Sequence, residues 1–391
     1  MSKKNVNPVP GADSGAAMPP KKKKKKGSGL LGRIIRRFFL VLFTVVILVL
    51  AALVLVMNLV FNGPSPAARD KLTMTLIEAS ATKWVPALFI GEDTVAEIRE
   101  SVSDSGLDED VTDTTKVIIQ ANNVITGNSN EWDSYPDGVR IERRSGDTYN
   151  AHIMIVRNPA QVYMGTSTEK FSTAIPGKRI TEVMAENPDV IAAINAGAFN
   201  DDGTANTYVG SIPAGLVVSG SEIRSNIYKD MVPEEGFVGF NEDDILVVAK
   251  SMTPEQAKEQ RIRDGCEFGP VLIMNGVVNQ EAYNSASGYN PRTALGQRAD
   301  GAVIFLCIDG RQAGSIGGTY ADIIDIMLEY GAVNACNMDG GSSSVMLYRD
   351  TYGRYGEAGQ VRMMNTYSVI QAAPRKMPNF WMVRPAATSE G

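Results

Sequence analysis

The sequence predicts an α+β domain with a mixed β-sheet core and few helices, preceded by one N-terminal transmembrane helix. Three observations carry this reading. The 24 residues from Phe38 to Phe61 contain no charge. From Val117 onward, short apolar stretches alternate with Gly, Asn and Asp turns, which is the pattern of strands. Helical spacing survives there in only three stretches, so helices are the minority element.

The chain has 391 residues, 44% hydrophobic and 21% charged, enough for one large core or two smaller ones. Charge is divided unevenly. Eleven of the 38 Lys and Arg and one of the 44 Asp and Glu lie at or before Arg37, leaving 27 bases against 43 acids after it. Residues 1–37 are therefore expected to be a disordered basic cytoplasmic tail, built from Asn, Pro, Gly, Ala, Ser and the run Lys21 to Lys26.

Residues 38–61 are the expected transmembrane helix. At about 1.5 Å per residue the run reaches about 36 Å, enough to cross a hydrocarbon layer of about 30 Å. Thr44 and Asn58 are its only polar residues. A cleaved signal peptide is the rival reading, but its apolar region is normally about 7–15 residues with a small-residue cleavage site. The run here is longer, and NGPSPAARD is a poor site. The excess of Lys and Arg before the helix places the N-terminus in the cytoplasm and the acidic domain outside the cell membrane. The lysine run then reads as a topology signal and a contact for the anionic head groups of the lipid bilayer, with no nucleic acid as partner.

Residues 62–116 are expected to form a stalk and helical neck, and residues 117–391 the globular domain. Strands are read at KVIIQ, GVRIERR, AHIMIVRN, QVYMG, VIAAIN, AGLVVSG, GFVGF, DILVVAK, PVLIMNG, GVVNQ, RTALGQR, AVIFLCI, AVNACNM, SVMLYR, SVIQAAP and FWMVR. Helices are read at Arg179–Asn187, Pro254–Arg263 and Thr319–Tyr330. In the last, Tyr320, Ile323, Ile324, Met327 and Tyr330 share one face behind a Thr319 N-cap.

The three cysteines, Cys266, Cys307 and Cys336, have no C-x-x-C spacing, and the latter two sit in apolar runs, so buried inert thiols are expected. A single histidine, His152, excludes a multi-His metal site and lies in a strand-like run, which favours a structural role over a catalytic one. Carboxylates at strand ends are better placed for chemistry. GAVIFLCIDGR and AVNACNMDGGSSS are two apolar strands flanking the cleanest helix, so both point the same way and bring Asp309 and Asp339 to one sheet edge. Ligands bind at that edge in open sheets with such crossovers. On neighbouring strands the two carboxylates would stand about 5–10 Å apart, a range that suits glycosidic cleavage. Asp-Gly pairs also simply make turns, a reading that weighs more for Asp309 than for Asp339. Gly340, Gly341, Ser342 and Ser343 expose backbone N–H groups and hydroxyls fit for an anion or a sugar. Asn195 ends a third strand, and Gly197 beside it admits close backbone approach. Arg292 in NPRTALGQ is suited to a phosphate, with Arg311 as a second choice. Thr319 closes SIGGT, whose N–H groups at a helix start are a further phosphate site. No cofactor or metal is expected beyond a low-ranked calcium site at Asp201 and Asp202 in NDDGT.

Together INAGAF at Ile194–Phe199, SIPAGLVVSG at Ser211–Gly220, GPVLIMNG at Gly269–Gly276, NPRTALG at Asn290–Gly296, IDGRQAGSIGGTYADI at Ile308–Ile323, NMDGGSSSVM at Asn337–Met346 and MPNFWMV at Met377–Val383 resemble the phosphodiester glycosidase family. That family includes an animal enzyme that removes N-acetylglucosamine from phosphate, and many bacterial cell-envelope proteins. The resemblance runs from about Val117 to Val383. Ala196 and Ala198 stand where the family usually has a glycine and a phenylalanine, and Ser342 where it has a third glycine. The resemblance implies a hydrolase that cleaves the sugar–phosphate bond of glycosyl-1-phosphodiesters, here in an envelope polymer or exopolysaccharide. On that reading Asp339 and Asp309 form the catalytic pair, Arg292 or Arg311 holds the phosphate, and Asn195, Ser342 and Ser343 bind sugar hydroxyls. A weakly basic phosphate leaving group also lets one carboxylate suffice. The alternative is a non-catalytic protein that grips an envelope polysaccharide with the same pocket.

Overall fold

The computed structural model describes residues 29–78, 82–100, 106–117, 132–200, 209–226, 236–367 and 373–385. The chain divides into two units, Met1–Met57 and Asn58–Gly391.

Helix α1 (Leu30–Phe61) begins eight residues before the uncharged run. Leu and Arg are good helix formers, so Leu30–Arg37 extends the helix instead of ending it. Within it, the Thr44 hydroxyl donates to the Leu40 carbonyl at 2.9 Å. The stretch Gly32–Phe61 is long and apolar enough to cross a membrane, and fits an anchor or a signal sequence by length and composition.

After α1 come α2 (Pro66–Ile77), α3 (Ala87–Ile90) and α4 (Glu92–Glu100). Ser65 caps α2 by accepting from the Ala68 N–H, and Pro66 occupies the first turn, where its missing N–H costs nothing.

The β-rich part holds three large sheets, with strands numbered in chain order. The first orders seven strands as β1 (Val139–Ser145), β2 (Asn150–Val156), β14 (Val303–Ile308), β13 (Arg292–Arg298), β15 (Ala332–Met338), β11 (Val271–Met274) and β12 (Val277–Val278). The second orders five as β7 (Glu222–Ser225), β6 (Val217–Ser219), β10 (Ile262–Glu267), β8 (Phe237–Asn241) and β9 (Leu246–Ala249). The third orders five as β17 (Val361–Met363), β16 (Met346–Arg349), β5 (Ala192–Asn195), β19 (Asn379–Val383) and β3 (Val162–Thr166). A short pair, β4 (Lys178–Arg179) with β18 (Lys376–Met377), lies beside them.

The three sheets each turn one face inward to a shared core. Met154, Leu295, Phe305 and Met338 come from the first, Val217, Phe240 and Val248 from the second, and Ile194, Met346 and Trp381 from the third. Outer faces are covered by helices. Helix α8 (Tyr320–Glu329) lays Tyr320, Ile323, Ile324 and Met327 on the first sheet. Helix α5 (Ile180–Glu186) covers the third with Ile180, Val183 and Met184, and α6 (Pro254–Glu259) covers the second with Ala257. The short α7 (Gln280–Asn284) adds Ala282 beneath α8. A fully buried Phe305 or Leu306 contributes roughly 1.5–3 kcal/mol.

The α+β class with few helices stands. Every strand pair among the described residues is antiparallel. Strands β14 and β15 run parallel, as the strand–helix–strand reading requires, but β13 lies between them and pairs with both. The cause is local. A tight turn closes β13 onto β14, with the Arg298 N–H donating to the Ala302 carbonyl at 2.9 Å, and β2 takes the other edge of β14. Strand β15 is left the free edge of β13.

Helix α6 ends at Glu259, not Arg263, and the chain enters an unforeseen strand, β10, at the centre of the second sheet. The strands expected at KVIIQ and SVIQAAP fall largely outside the described residues. All three cysteines are buried and outside any disulfide, and burial pushes the thiols of Cys266 and Cys307 well up, which keeps them protonated.

Candidate active site

The sequence-derived residues converge where the C-terminal ends of β14, β15 and β5 meet the N-terminal end of β13. Ile308 pairs with Arg292 and Met338 with Thr293, so Asp309 and Asp339 flank the start of β13 from opposite sides. They do reach one edge, as the strand directions require. With β13 interposed, their strands are about 10 Å apart, twice the spacing expected for neighbours.

Asp309 is buried, and both of its carboxylate oxygens are engaged. One lies 3.2 Å from His152 Nε2, and the other accepts the Thr366 N–H at 2.8 Å. Its carbonyl accepts the Ser315 hydroxyl at 2.7 Å. His152 reaches it because β2 lies beside β14 with His152 opposite Cys307.

Asp339 is half-buried and opens the turn Gly340–Ser343. Its backbone is locked on both sides: its N–H donates to the Ala196 carbonyl at 3.1 Å, and its carbonyl accepts from Asn195 Nδ2 at 2.6 Å. Asn195 is wholly buried, and its Oδ1 accepts from the Thr293 hydroxyl and the Val345 N–H. It clamps three segments together and does not face open space. Gly197 is buried too. A Cβ there would meet the Glu267 carbonyl at 3.0 Å and Cys266 Sγ at 3.4 Å, so its smallness serves packing on β10. Gly341 has φ +60°, and its N–H donates to the Pro291 carbonyl at 2.8 Å. A side chain at Gly340 would press on that same carbonyl. Ser343 is buried, whereas Ser342 is half-buried: its carbonyl accepts the Tyr367 hydroxyl at 2.5 Å, and Arg375 approaches its Oγ at 3.4 Å.

Arg292 lies under this turn, buried to 3% exposure. Its three guanidinium nitrogens each have a partner: Nε with the Gly318 carbonyl at 3.2 Å, Nη2 with the Gly288 carbonyl at 2.8 Å, and Nη1 with Glu78 Oε2 at 2.8 Å. Its plane rests over the Tyr320 ring at 4.5 Å. Glu78 caps the end of α2 and also accepts from Asn290 Nδ2 at 2.5 Å. Burial pushes the Glu78 carboxyl above its ordinary value, against the pull of Arg292 and Arg311. Helix α2 is seated by Thr75, which accepts the Tyr289 N–H at 3.1 Å. Arg311 is exposed, in a left-handed turn with φ +59°, and uses one nitrogen on Asn290 Oδ1 at 2.9 Å. It stands alongside Gly341.

Thr319 closes the start of α8. Its hydroxyl accepts the Asp322 N–H at 3.2 Å, while Asp322 accepts the Thr319 N–H at 2.7 Å. The neighbouring N–H groups are also engaged: Gly317 with Thr148, Gly318 with Asn290, and Tyr320 with Ser287. The anion site expected at SIGGT is therefore closed by internal hydrogen bonds. The expected calcium ligands Asp201 and Asp202 lie outside the described residues.

What remains accessible is a compact set, comprising Asp339, Gly340, Gly341, Ser342 and Arg311, with Glu78 at its edge. It pairs one partly open carboxylate with an exposed guanidinium across a serine-bearing turn, an arrangement suited to an anionic sugar. The model of the phosphodiester glycosidase family matches residues 188–384, half of the chain, and contains this turn. The chain belongs to the phosphodiester glycosidase family. Members of this family are hydrolases of phosphodiester glycosidic bonds. A curated relative, the SPbeta prophage-derived uncharacterized protein YomE of Bacillus subtilis (strain 168), is 25% identical over 197 residues, which is 48% of this chain and 27% of that protein. The chain thus spans about a quarter of the length of the curated relative it matches. Among solved structures, the zebrafish N-acetylglucosamine-1-phosphodiester alpha-N-acetylglucosaminidase catalytic domain, auto-inhibited by its pro-peptide, is similar at 16% identity and TM-score 0.45, covering 63% of this chain and 82% of that one. A hypothetical protein from Synechocystis is similar at 17% identity and TM-score 0.41, covering 63% and 61%.

Sequence reasoning missed four participants. Glu78 carried no motif that tied it to Arg292, and Asn290, two residues before Arg292 in NPRTALG, gave no sign of its bond to Glu78. His152 was set aside as a strand residue, which it is, but its strand lies beside that of Asp309. Tyr367 follows the segment held by Asp309 and had no signal in its own surroundings.

Proposed function

We propose that this family member hydrolyses a glycosyl-1-phosphodiester at the sugar–oxygen bond, outside a membrane to which α1 anchors it. The observation that carries the reading is the turn Asp339–Ser342, with its half-buried carboxylate beside the exposed Arg311. In the proposed step Asp339 takes a proton from water. The water oxygen bonds to the anomeric carbon, and the carbon–oxygen bond to phosphorus breaks, its electron pair leaving with the phosphomonoester. That leaving group is a weak base, so no strong acid is needed opposite Asp339. Arg311 holds the phosphate and Ser342 contacts a sugar hydroxyl. Arg292 acts beneath them by fixing Gly288, Gly318 and Glu78.

Asp309 takes a positioning role in this scheme. Its carboxylate holds Thr366, and Tyr367 next to it donates to the Ser342 carbonyl, so Asp309 and His152 brace the turn from behind. The anchored, outward-facing orientation draws on the basic residues before α1 and the apolar length of that helix. An envelope polymer or exopolysaccharide as substrate follows from that location and from the resemblance of the motifs.

One observation favours the second reading, a polymer-binding protein without turnover: the second carboxylate of the expected pair is buried and fully engaged. The test is release of N-acetylglucosamine from UDP-N-acetylglucosamine by the full chain in detergent, beside Asp339→Asn. Release by the parent and none by the variant supports the enzyme. No release from either, with retained affinity for a purified envelope polymer, sinks the enzyme reading in favour of the binder.

A further inference from the structure

Among the described residues after Met57, the three most exposed large apolar side chains are Leu88 (70%), Leu59 (62%) and Trp84 (60%). The other exposed ones are scattered singly over the β-rich part, led by Val277 at 55%. Single exposed apolar residues need no explanation, but a close pair beside the end of a long apolar helix does. Two of them, Trp84 and Leu88, are four residues apart, and a ring stack places their segment at the end of α1. Phe61, the last residue of α1, is 2% exposed because it stacks on Phe89 of α3 at 5.0 Å with the planes 18° apart. Leu88 adjoins Phe89, one member of that stack. Trp84 lies one turn before α3, beside the exposed Lys83.

We propose that Trp84 and Leu88 form an interfacial foot that enters the head-group layer of the bilayer at the end of α1. The occupant is the lipid surface, because the stack ties the patch to the end of a helix long enough to cross a membrane. The side chains fit the head-group and upper acyl layer. A tryptophan ring places its apolar body in the acyl boundary and its N–H among polar groups, leucine adds apolar area, and the Lys83 ammonium reaches lipid phosphate. The foot holds the start of the neck against the membrane, and the neck carries Glu78 to Arg292. The inference rests on α1 being a membrane anchor.

Trp84 supplies its own probe. The chain has three tryptophans, and Trp132 and Trp381 are buried to 5% and 0% exposure. The full chain is placed in phosphatidylcholine vesicles with plain or brominated acyl chains, and its tryptophan emission is measured. Brominated lipid is expected to quench a component of the emission that Trp84→Phe lacks and that Leu88→Asp weakens. Emission from Trp84 that ignores brominated lipid while aqueous acrylamide quenches it overturns the foot. Shielding from acrylamide that ignores bromination and grows with the protein-to-lipid ratio assigns the patch to a second copy and also overturns it. Flotation of the vesicles after an alkaline wash separates the premises. A chain that stays behind overturns the anchor and the foot together, whereas one that floats with Trp84 unquenched overturns the foot alone.

Discussion

Asp309 and Asp339 end two parallel strands of one sheet, each is followed by glycine, and the structure treats them in opposite ways. Asp309 is sealed between His152 and the Thr366 N–H. Asp339 has its backbone bound on both sides and stands half-buried at the mouth of a turn. A carboxylate with both oxygens engaged is built to hold other groups in place. One with a fixed backbone and a partly open side chain is built to meet something else. The same contrast separates the two arginines: Arg292 is enclosed and Arg311 is exposed.

The sharpest way to break this comparison is to exchange charge for amide at each aspartate. Asp339→Asn should lower turnover by about 10²–10⁴-fold, the scale of a lost general base, with the urea midpoint unchanged. Equal losses of turnover for Asp309→Asn and Asp339→Asn, with both proteins as stable as the parent, would restore the two-carboxylate mechanism and end the distinction drawn here.

The next effect in size concerns Glu78. Glu78→Ala leaves Arg292 as a buried cation without its acid, and removing one partner of a buried pair costs about 3–5 kcal/mol. Glu78 keeps 21% of its side chain exposed, so the low end, about 3 kcal/mol, is expected from urea unfolding. That loss would not measure the worth of the pair, since burial disfavours both charges. A loss below about 0.5 kcal/mol would put the pair on the scale of a surface contact.

Asp309→Asn is expected to cost about 1–3 kcal/mol, because the amide cannot accept from both His152 and Thr366 while satisfying its own donors. A KM change without that stability loss would mean that Asp309 touches the substrate and braces nothing.

These contrasts also mark how far the sequence was readable. The apolar length of α1, the face and cap of α8, and the polar turn after β15 are local patterns, and each is where periodicity or turn chemistry put it. Strand β10 was hidden because IRDGCE places Arg263 and Asp264 in a sheet centre. Their charges are accommodated by pairing with each other at 2.6 Å and by Asp244 on a different segment, which no window of sequence contains. The insertion of β13 between β14 and β15 was hidden for the same reason: the order of strands depends on which edges are already taken. Asn195 shows the limit at the site itself. Its position at a strand end was legible, but the side chain's partners, Asp339, Thr293 and Val345, lie 98–150 residues away, and they turn an expected sugar ligand into a clamp.

The smallest expected effect tests whether Glu78 and an incoming anion share one place. Burial raises the Glu78 pKa, so the folded state holds this proton more tightly than the unfolded chain does. The group's contribution to stability is complete below the ordinary carboxylate pKa and is lost as pH rises through the raised value. For anion binding the consequence runs the same way. As pH falls from neutral toward the carboxylate range, Glu78 takes its proton before ordinary acids do and stops competing for Arg292 and Arg311. Sulfate is a suitable probe because its own charge does not change over that range. Its affinity, measured by calorimetry, should rise as pH falls through the raised Glu78 value. Glu78→Gln should start from the tighter value and lose most of the pH dependence. A sulfate affinity that is flat with pH in the parent, or equally steep in the variant, would mean that the anion binds at Arg311 without reference to Glu78, and that the enclosed and exposed arginines are two separate features.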